Sequence, residues 1–137
     1  MNRIKYYISL LLLSILLTSC NSYSKRSEVV QFEYQGYGDS TLSVMYGKVF
    51  ENINGDEKPL QKVQVSIANS RRSTFSDLYG NFNIGMETGK YNLLISKNGY
   101  QSLLLKNYEA ISDRVSRIII MLRLGEGIEI VDLPNNK

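Results

Sequence analysis

The sequence predicts an all-β protein, an antiparallel β-sandwich of about seven strands. Segments in which apolar and polar residues alternate recur between residues 44 and 124, and a period of two is typical of strands that bury one face. Turn formers such as Asn54 and Gly55 separate these segments. The chain of 137 residues contains ten Tyr and no Trp, and its length suits a single domain.

The first two core strands show the alternation most clearly. Residues 44–51 place Val49 on the inner face and Lys48 on the outer face. Turn formers dominate residues 52–59. The next strand covers residues 60–69, and polar residues separate its inner positions. These inner positions are Val63, Val65 and Ile67.

The middle of the domain contains two further turns, each followed by an alternating segment. Asp77 opens the first turn and Gly80 closes it, whereas Gly89 and Gly99 bound the second segment. An Asp side chain accepts hydrogen bonds from backbone N–H groups that follow it, and Gly adopts positive φ freely. We therefore assign these four residues a structural role. Calcium binding by Asp77 and Asn81 is an alternative, but it falls short of the roughly six to eight oxygens that calcium prefers. The core residues expected here are Phe82, Ile84, Tyr91, Leu93, Ile95 and Tyr100.

The end of the chain predicts one more central strand and one ambiguous tail. Residues 100–105 read as a strand, and residues 106–113 as a polar connection. Residues 115–124 contain three consecutive Ile, which favours a closing central strand over a helix. Residues 125–137 begin with renewed alternation. They form either an edge strand or an extended segment open to strand addition.

Composition excludes most enzyme classes. The chain has no His and one Cys, so it cannot assemble a Ser-His-Asp group, a Cys-His group or a His/Cys zinc site. We expect no catalytic residues, no metal site and no cofactor. A carboxylate-based hydrolase using Asp56 and Glu57 is the remaining enzymatic alternative.

The N-terminus has the pattern of a signal peptide, residues 1–19. Two basic residues precede a mainly apolar run over residues 6–17, which is shorter than the roughly 20 residues of a membrane-spanning helix. The run ends at a segment that resembles the bacterial lipobox. The lipobox positions are Leu17, Thr18 and Ser19, directly before Cys20. The resemblance implies cleavage before Cys20 and attachment of fatty acyl chains such as palmitate, whereas a secretory signal with a chance Cys is the alternative.

The lipobox implies a membrane location without a membrane span. More than one acyl chain gives stable anchoring. Asn21 stands where some lipoproteins retained in an inner membrane carry Asp, and no acidic run follows Cys20. These features favour the outer membrane, and its periplasmic leaflet over the cell surface. Removal of the two basic residues of the signal peptide leaves 16 − 2 = 14 basic against 13 acidic side chains, a balance that gives no case for nucleic acid.

Residues 20–43 read as a tether between the anchor and the sandwich. Residues 21–27 are polar and suit a flexible spacer. Residues 28–35 alternate, and form either an extra edge strand or an extended segment. Glycines at residues 36–40 mark the boundary of the sandwich domain, residues 44–124.

Two motifs resemble the carboxypeptidase regulatory-like domain. Residues 74–84 follow the pattern T-x-S-D-x-x-G-x-F-x-I, and residues 89–100 follow G-x-Y-x-L-x-I-S-x-x-G-Y. One departure is the pair Gln61 and Lys62, where many members carry Gly-Ala. The resemblance implies a Greek-key, prealbumin-like sandwich, and it is specific for fold more than for function.

The sequence therefore predicts a non-enzymatic envelope lipoprotein whose sandwich binds or scaffolds an outer-membrane protein or a glycan. Related domains precede TonB-dependent receptors, which implies a partner in such an uptake system. A structural or adhesive module is the alternative. Such modules often carry a Lys-Asn crosslink, for which Lys48 could supply the amine, but residues 115–124 contain no Asn.

Overall fold

The computed structural model describes residues 26–38 and 41–134. These residues form ten strands and no helix, and none of them belongs to a helix that could cross a membrane. The strands are β1 (Glu28–Tyr37), β2 (Ser43–Ile53), β3 (Asp56–Pro59), β4 (Gln64–Ile67), β5 (Ser73–Phe75), β6 (Asn81–Met86), β7 (Gly89–Ser96), β8 (Ser102–Ala110), β9 (Arg114–Met121) and β10 (Ile128–Asp132).

The strands form two five-stranded sheets. The first sheet has the order β1-β9-β2-β3, with β6 also paired to β2, and the second has the order β10-β8-β7-β4-β5. The prediction of an all-β sandwich is confirmed. Most pairings are antiparallel, but β2 pairs with β9 and β8 pairs with β10 in parallel. Parallel neighbours require long connections, so local pattern does not reveal them.

Three strands go beyond the seven predicted, namely β1, β3 and β10. For β1 and β10 the sequence left a strand and an extended segment as alternatives, and the structure has strands. β3 returns from a turn at Asn54 and Gly55, whose φ angles are 53° and 93°, and pairs with the end of β2. Its four residues are all exposed. A strand without a buried face has no alternation to detect.

The core lies between the two sheets. On β2, Met45 and Val49 are buried, whereas Tyr46 and Lys48 face outward. β9 lies between β1 and β2, and its Ile118 and Ile120 are fully buried. The run of Ile on β9 therefore reflects its central position in the first sheet.

β8 corrects the prediction of a polar connection over residues 106–113. Ser102–Ala110 is one strand paired with β7. Leu105 and Tyr108 both face the core, so inward positions change from odd to even numbers along the strand. A bulge produces this change, and Asn107 within it has a φ of 62°. Because a fixed period of two does not continue through a bulge, simple alternation does not predict the second half of β8.

Hydrogen bonds of Ser27 connect the start of β1 to Gln101, directly before β8 of the second sheet. The N–H of Ser27 donates to Oε1 of Gln101 at 2.8 Å, and its hydroxyl donates to the carbonyl of Gln101 at 2.9 Å. The N–H of Arg123 donates to Oγ of Ser27 at 3.0 Å. Ser27 is buried, so the prediction of a flexible spacer over residues 21–27 is wrong at Ser27.

Candidate binding surfaces

Two rows of side chains cross the outer face of the first sheet, which we call the polar face. Backbone pairing across four strands aligns the first row, which contains Glu33, Arg117, Tyr46 and Asn83. The neighbouring row contains Gln31, Ile119, Lys48 and Asn81. Alternate residues of a strand share one face, so both rows lie on the same side of the sheet.

A groove of about 410 Å³ lies on the polar face. The side chains along it come from four strands, and they are Gln35, Tyr46, Lys48, Asn81 and Arg117. Gly47 and Phe82 also line it. A Cβ on Gly47 would lie 2.1 Å from the Phe82 ring. Glycine at this position therefore lets β2 and the Phe82 ring pack closely beneath the groove.

Two cations of the polar face lack partners. Across residues 26–38 and 41–134, the one ion pair joins Arg26 to Glu129 at 3.7 Å, and the side chains of Lys48 and Arg117 make no hydrogen bond. Glu33 lies opposite Arg117, but its Oε1 accepts a hydrogen bond from Nε2 of Gln35 at 2.6 Å. Among residues 26–38 and 41–134, no carboxylate therefore forms an ion pair with either cation.

Lys48 lies directly opposite Asn81 in the pairing of β2 with β6. From the sequence, a crosslinking Asn was expected on the closing strand, whereas the structure places Asn81 beside Lys48 on β6. Both side chains are exposed, and their row contains no carboxylate. No carboxylate of this row could therefore act as the base of a crosslinking reaction between the two side chains.

An apolar stripe covers the outer face of the second sheet near β10. Backbone pairing aligns Leu94, Leu104 and Ile130 on three adjacent strands. Ile128 lies two residues before Ile130 on the same face. Ile128 and Ile130 are 59% and 57% exposed, and Leu94 and Leu104 are half-buried. These four residues form the apolar stripe, and β10 is the edge of the sheet beside it.

A second group of exposed apolar side chains lies at the opposite edge of the second sheet. Phe75 is on the edge strand β5, and Leu78 and Tyr79 are in the following turn. Their exposed fractions are 58%, 70% and 71%. β5 has only three residues, so it offers less backbone for strand addition than β10.

The turn from Asp77 to Gly80 is built by backbone hydrogen bonds. Oδ1 of Asp77 accepts the N–H of Tyr79 at 2.8 Å and the N–H of Asn81 at 2.9 Å. Gly80 has a φ of 77°. Asp77 is therefore occupied in shaping the turn, and among the described residues no group of three or more His, Cys, Asp or Glu could hold a metal ion. Of the other two glycines, Gly89 begins β7 and Gly99 has a φ of 85°.

The structure places most of the expected core residues inside the sandwich. Those buried in the core cluster are Val49, Val63, Val65, Ile67, Phe82, Ile84, Leu93 and Ile95. Tyr91 and Tyr100 are half-buried and pack against the cluster. The hydroxyl of Tyr100 donates to Oε2 of Glu51 at 2.8 Å. Burial and this hydrogen bond raise the pKa of Tyr100 to about 12.

Tyr108, which the sequence analysis did not identify, has the largest fully buried side chain among the residues that the structure describes. Its hydroxyl lies 3.2 Å from Oγ of Ser43 and 2.8 Å from Oγ of Ser116. These contacts link the second sheet to the first through the core. Tyr34 stacks on Tyr108 with ring centroids 6.4 Å apart, and burial raises the pKa of Tyr34, with a further contribution from Tyr108. The available sequence signal for its burial was that apolar residues occupy odd-numbered positions up to Leu105 and even-numbered positions from Tyr108 onward.

The two carboxylates proposed for a hydrolase, Asp56 and Glu57, do not converge on a cleft. Asp56 and Glu57 are adjacent and exposed on β3, and adjacent strand residues point to opposite faces. They therefore do not flank one scissile bond. Asp132 accepts a hydrogen bond from Nδ2 of Asn107 at 3.0 Å. The lipobox residues and Cys20 lie outside the described residues.

Comparisons with known proteins identify the domain. A chain in the crystal structure of the Coh3ScaB-XDoc_M1ScaA complex, an N-terminal interface mutant of a type II cohesin-X-dockerin complex from Acetivibrio cellulolyticus, superposes with a TM-score of 0.52 at 18% identity. The match covers 61% of this chain and 58% of that chain, and at this identity it shows the fold. No curated protein matches the sequence. Residues 45–121, more than half of the chain, match the family described as CarboxypepD_reg-like domain. The chain therefore belongs to the CarboxypepD_reg-like domain family, as the motifs at residues 74–84 and 89–100 predicted.

Proposed function

We propose that this protein is a non-enzymatic lipoprotein of the bacterial cell envelope that docks a membrane-protein partner through β10. Acyl chains on Cys20 anchor it in the outer membrane, on the periplasmic leaflet. The observation that carries the docking role is the apolar stripe beside an exposed edge strand. The partner is an outer-membrane protein, such as a receptor of a TonB-dependent uptake system.

The edge strand β10 offers two kinds of contact to an extended segment. One side of its backbone pairs with β8, and within the described residues no strand pairs with the other side. Free N–H and C=O groups on an edge accept an added strand. Ile128 and Ile130 alternate with Glu129 and Val131, so an added strand with apolar residues at alternate positions would extend the apolar stripe. Burial of a contiguous apolar surface would favour the complex.

The proposed tether joins the described part of the chain beside this edge. Arg26, the first described residue, contacts Glu129 of β10 at 3.7 Å. Residues 20–25 separate Arg26 from the membrane, and six residues span at most about 20 Å. A partner in the same membrane is therefore within reach of β10.

The family supports a binding role without catalysis. The proposed module shares its fold with a chain from a cohesin-X-dockerin complex, and that complex is an assembly of proteins. The sequence contains no His, and the side chains of Asp56 and Glu57 point to opposite faces of β3. Both observations support a non-enzymatic role.

Site-specific photocrosslinking in intact cells tests the proposed function. A photoreactive amino acid at Ile130 should capture one abundant outer-membrane protein, identified by mass spectrometry, whereas the same probe at the exposed Lys58, on β3 of the first sheet, should not. Ile130→Lys, with the probe moved to Ile128, should abolish capture. Equal capture from both probe positions, or recovery of lipid and cell-wall fragments alone, would exclude docking through β10.

The anchor has a separate test. Cys20→Ala should release the protein from the membrane fraction or leave an unprocessed precursor, because no sulfur remains for the acyl chains. Labelling with radioactive palmitate should disappear in the same variant. A normally cleaved Cys20→Ala protein that stays fully membrane-bound would contradict the lipoprotein assignment.

A further inference from the structure

We propose that the groove on the polar face binds an acidic oligosaccharide, a function separate from partner docking through β10. The groove lies on the first sheet and the apolar stripe on the second, so the sandwich separates the two surfaces. The two proposals are therefore independent.

The aromatic ring of Tyr46 is the first element of this site. Tyr46 is 51% exposed on a central strand of the first sheet. A large aromatic ring without a packing partner on its outer side offers a flat surface, together with a hydroxyl that can donate or accept. The C–H face of a pyranose ring stacks on such a surface, while its hydroxyl groups need hydrogen-bonding partners nearby.

Amide side chains supply those partners. Gln35 lies at one end of the groove and Asn81 at the other, with Asn83 aligned beside Tyr46. Each amide offers both donors and acceptors, which matches a sugar hydroxyl that is itself donor and acceptor. The groove crosses four strands spaced about 4.8 Å apart and therefore extends about 14 Å. This length exceeds one sugar ring, so the expected ligand is an oligosaccharide.

The two cations determine the charge of the ligand. Arg117 lies beside Tyr46 on the neighbouring strand β9, and Lys48 lies two residues after Tyr46 on β2. In residues 26–38 and 41–134 neither cation has an ionic partner. An Arg guanidinium binds a carboxylate in bidentate geometry. Glu33, the carboxylate on the two rows, is engaged by Gln35. The groove therefore favours a sugar that carries carboxylate groups, such as a uronic or sialic acid.

The composition of the groove favours a sugar over an acidic peptide. Protein interfaces concentrate their contacts in an apolar core that is depleted of charged residues. The groove has no aliphatic side chain among its lining residues, apart from the stems of Lys48 and Arg117. Its volume of about 410 Å³ falls within the range of roughly 300–1,000 Å³ for small-ligand sites.

Binding assays with the full mature chain in detergent test this inference. The probes are short oligosaccharides containing uronic or sialic acid and the methyl esters of the same sugars, which keep the rings and hydroxyl groups but lose the charge. We expect at least about tenfold tighter binding of the free acids, and loss of this preference as salt screens the charges.

Matched variants locate the binding to the groove. Tyr46→Ala should weaken binding of the free acids about tenfold or more, whereas Tyr79→Ala, which truncates an exposed Tyr outside the groove, should not. Lys48→Ala should weaken binding of the free acid without affecting the ester, and Lys90→Ala on the second sheet should affect neither. Circular dichroism would verify that these exposed substitutions leave the fold intact.

Three outcomes would overturn the inference. The first is failure of every acidic oligosaccharide to bind, and the second is equal binding to the Tyr46→Ala variant. The third is displacement of the sugar by polyglutamate at the same carboxylate concentration, which would identify the ligand as an acidic peptide. None of these results bears on capture through β10, so the proposed function is tested separately.

Discussion

Replacement of Gly80 by Ala tests the turn that both the sequence and the structure single out. Gly80 has a φ of 77°, and a left-handed conformation costs a non-Gly residue roughly 1–2 kcal/mol. A Cβ there would also lie 2.2 Å from the carbonyl oxygen of Val49 and 3.4 Å from the nitrogen of Leu60. The carbonyl of Val49 accepts the N–H of Leu60 at 3.0 Å. Moving that carbonyl would therefore break a hydrogen bond of the buried Leu60.

The two costs add to a large destabilisation. Loss of a buried hydrogen bond with an unsatisfied partner costs about 1–3 kcal/mol. Together with the conformational cost, Gly80→Ala should lower the free energy of unfolding by about 3 kcal/mol. Gly99→Ala is the matched control, because Gly99 has a φ of 85° and no atom within 4 Å of the added Cβ. It should cost only the conformational term, about 1 kcal/mol.

Urea denaturation followed by circular dichroism measures both variants against the wild-type protein. A lower midpoint with an unchanged slope reports a loss of stability. A cost for Gly80→Ala no larger than that for Gly99→Ala would refute the close contact between the turn and the Val49 carbonyl.

Three further substitutions test individual hydrogen bonds. Ser76→Ala removes the buried hydroxyl that accepts the N–H of Val63 at 2.9 Å, so it should cost about 2 kcal/mol; exposed Ser73→Ala should cost almost nothing, and similar urea midpoints would contradict this. Tyr108→Phe should cost about 1–2 kcal/mol, and a melting temperature equal to that of wild type would exclude a stabilising role for its hydroxyl. The pKa of Tyr100, about 12, lies above its ordinary value, so the folded state holds this proton more tightly than the unfolded state. The resulting stability is complete below about pH 10 and is lost as the pH rises towards 12. Melting temperatures across this range should therefore fall more steeply for wild type than for Tyr100→Phe, and parallel curves would contradict the shift.

Strands and turns could be predicted from the sequence where a single physical effect operates within a short segment. Alternation on β2 and β4 follows from a strand with one face in the core. The turn at Asp77 and Gly80 follows from a side-chain acceptor and positive φ within four residues. The family resemblance rested on this turn and on the alternating residues of β6 and β7.

The candidate site depended on contacts that local pattern does not contain. Lys48 was placed on the outer face of one strand, but its neighbours on the polar face come from strands distant in sequence. Arg117 reaches Tyr46 through the parallel pairing of β2 with β9. The sequence of residues 115–124 gives no indication of this contact, because strand order is not encoded within a single strand.

The sequence by itself determined the fold class, the inward faces of the regular strands and the turn at Asp77, because side-chain alternation and turn chemistry act between near neighbours. Tertiary structure decided the order of the strands, the continuation of β8 through the bulge at Asn107 and the buried position of Tyr108. It also decided which exposed residues share a surface. These features arise when segments far apart in the chain compete for the same core and the same backbone partners, and only the folded chain resolves that competition.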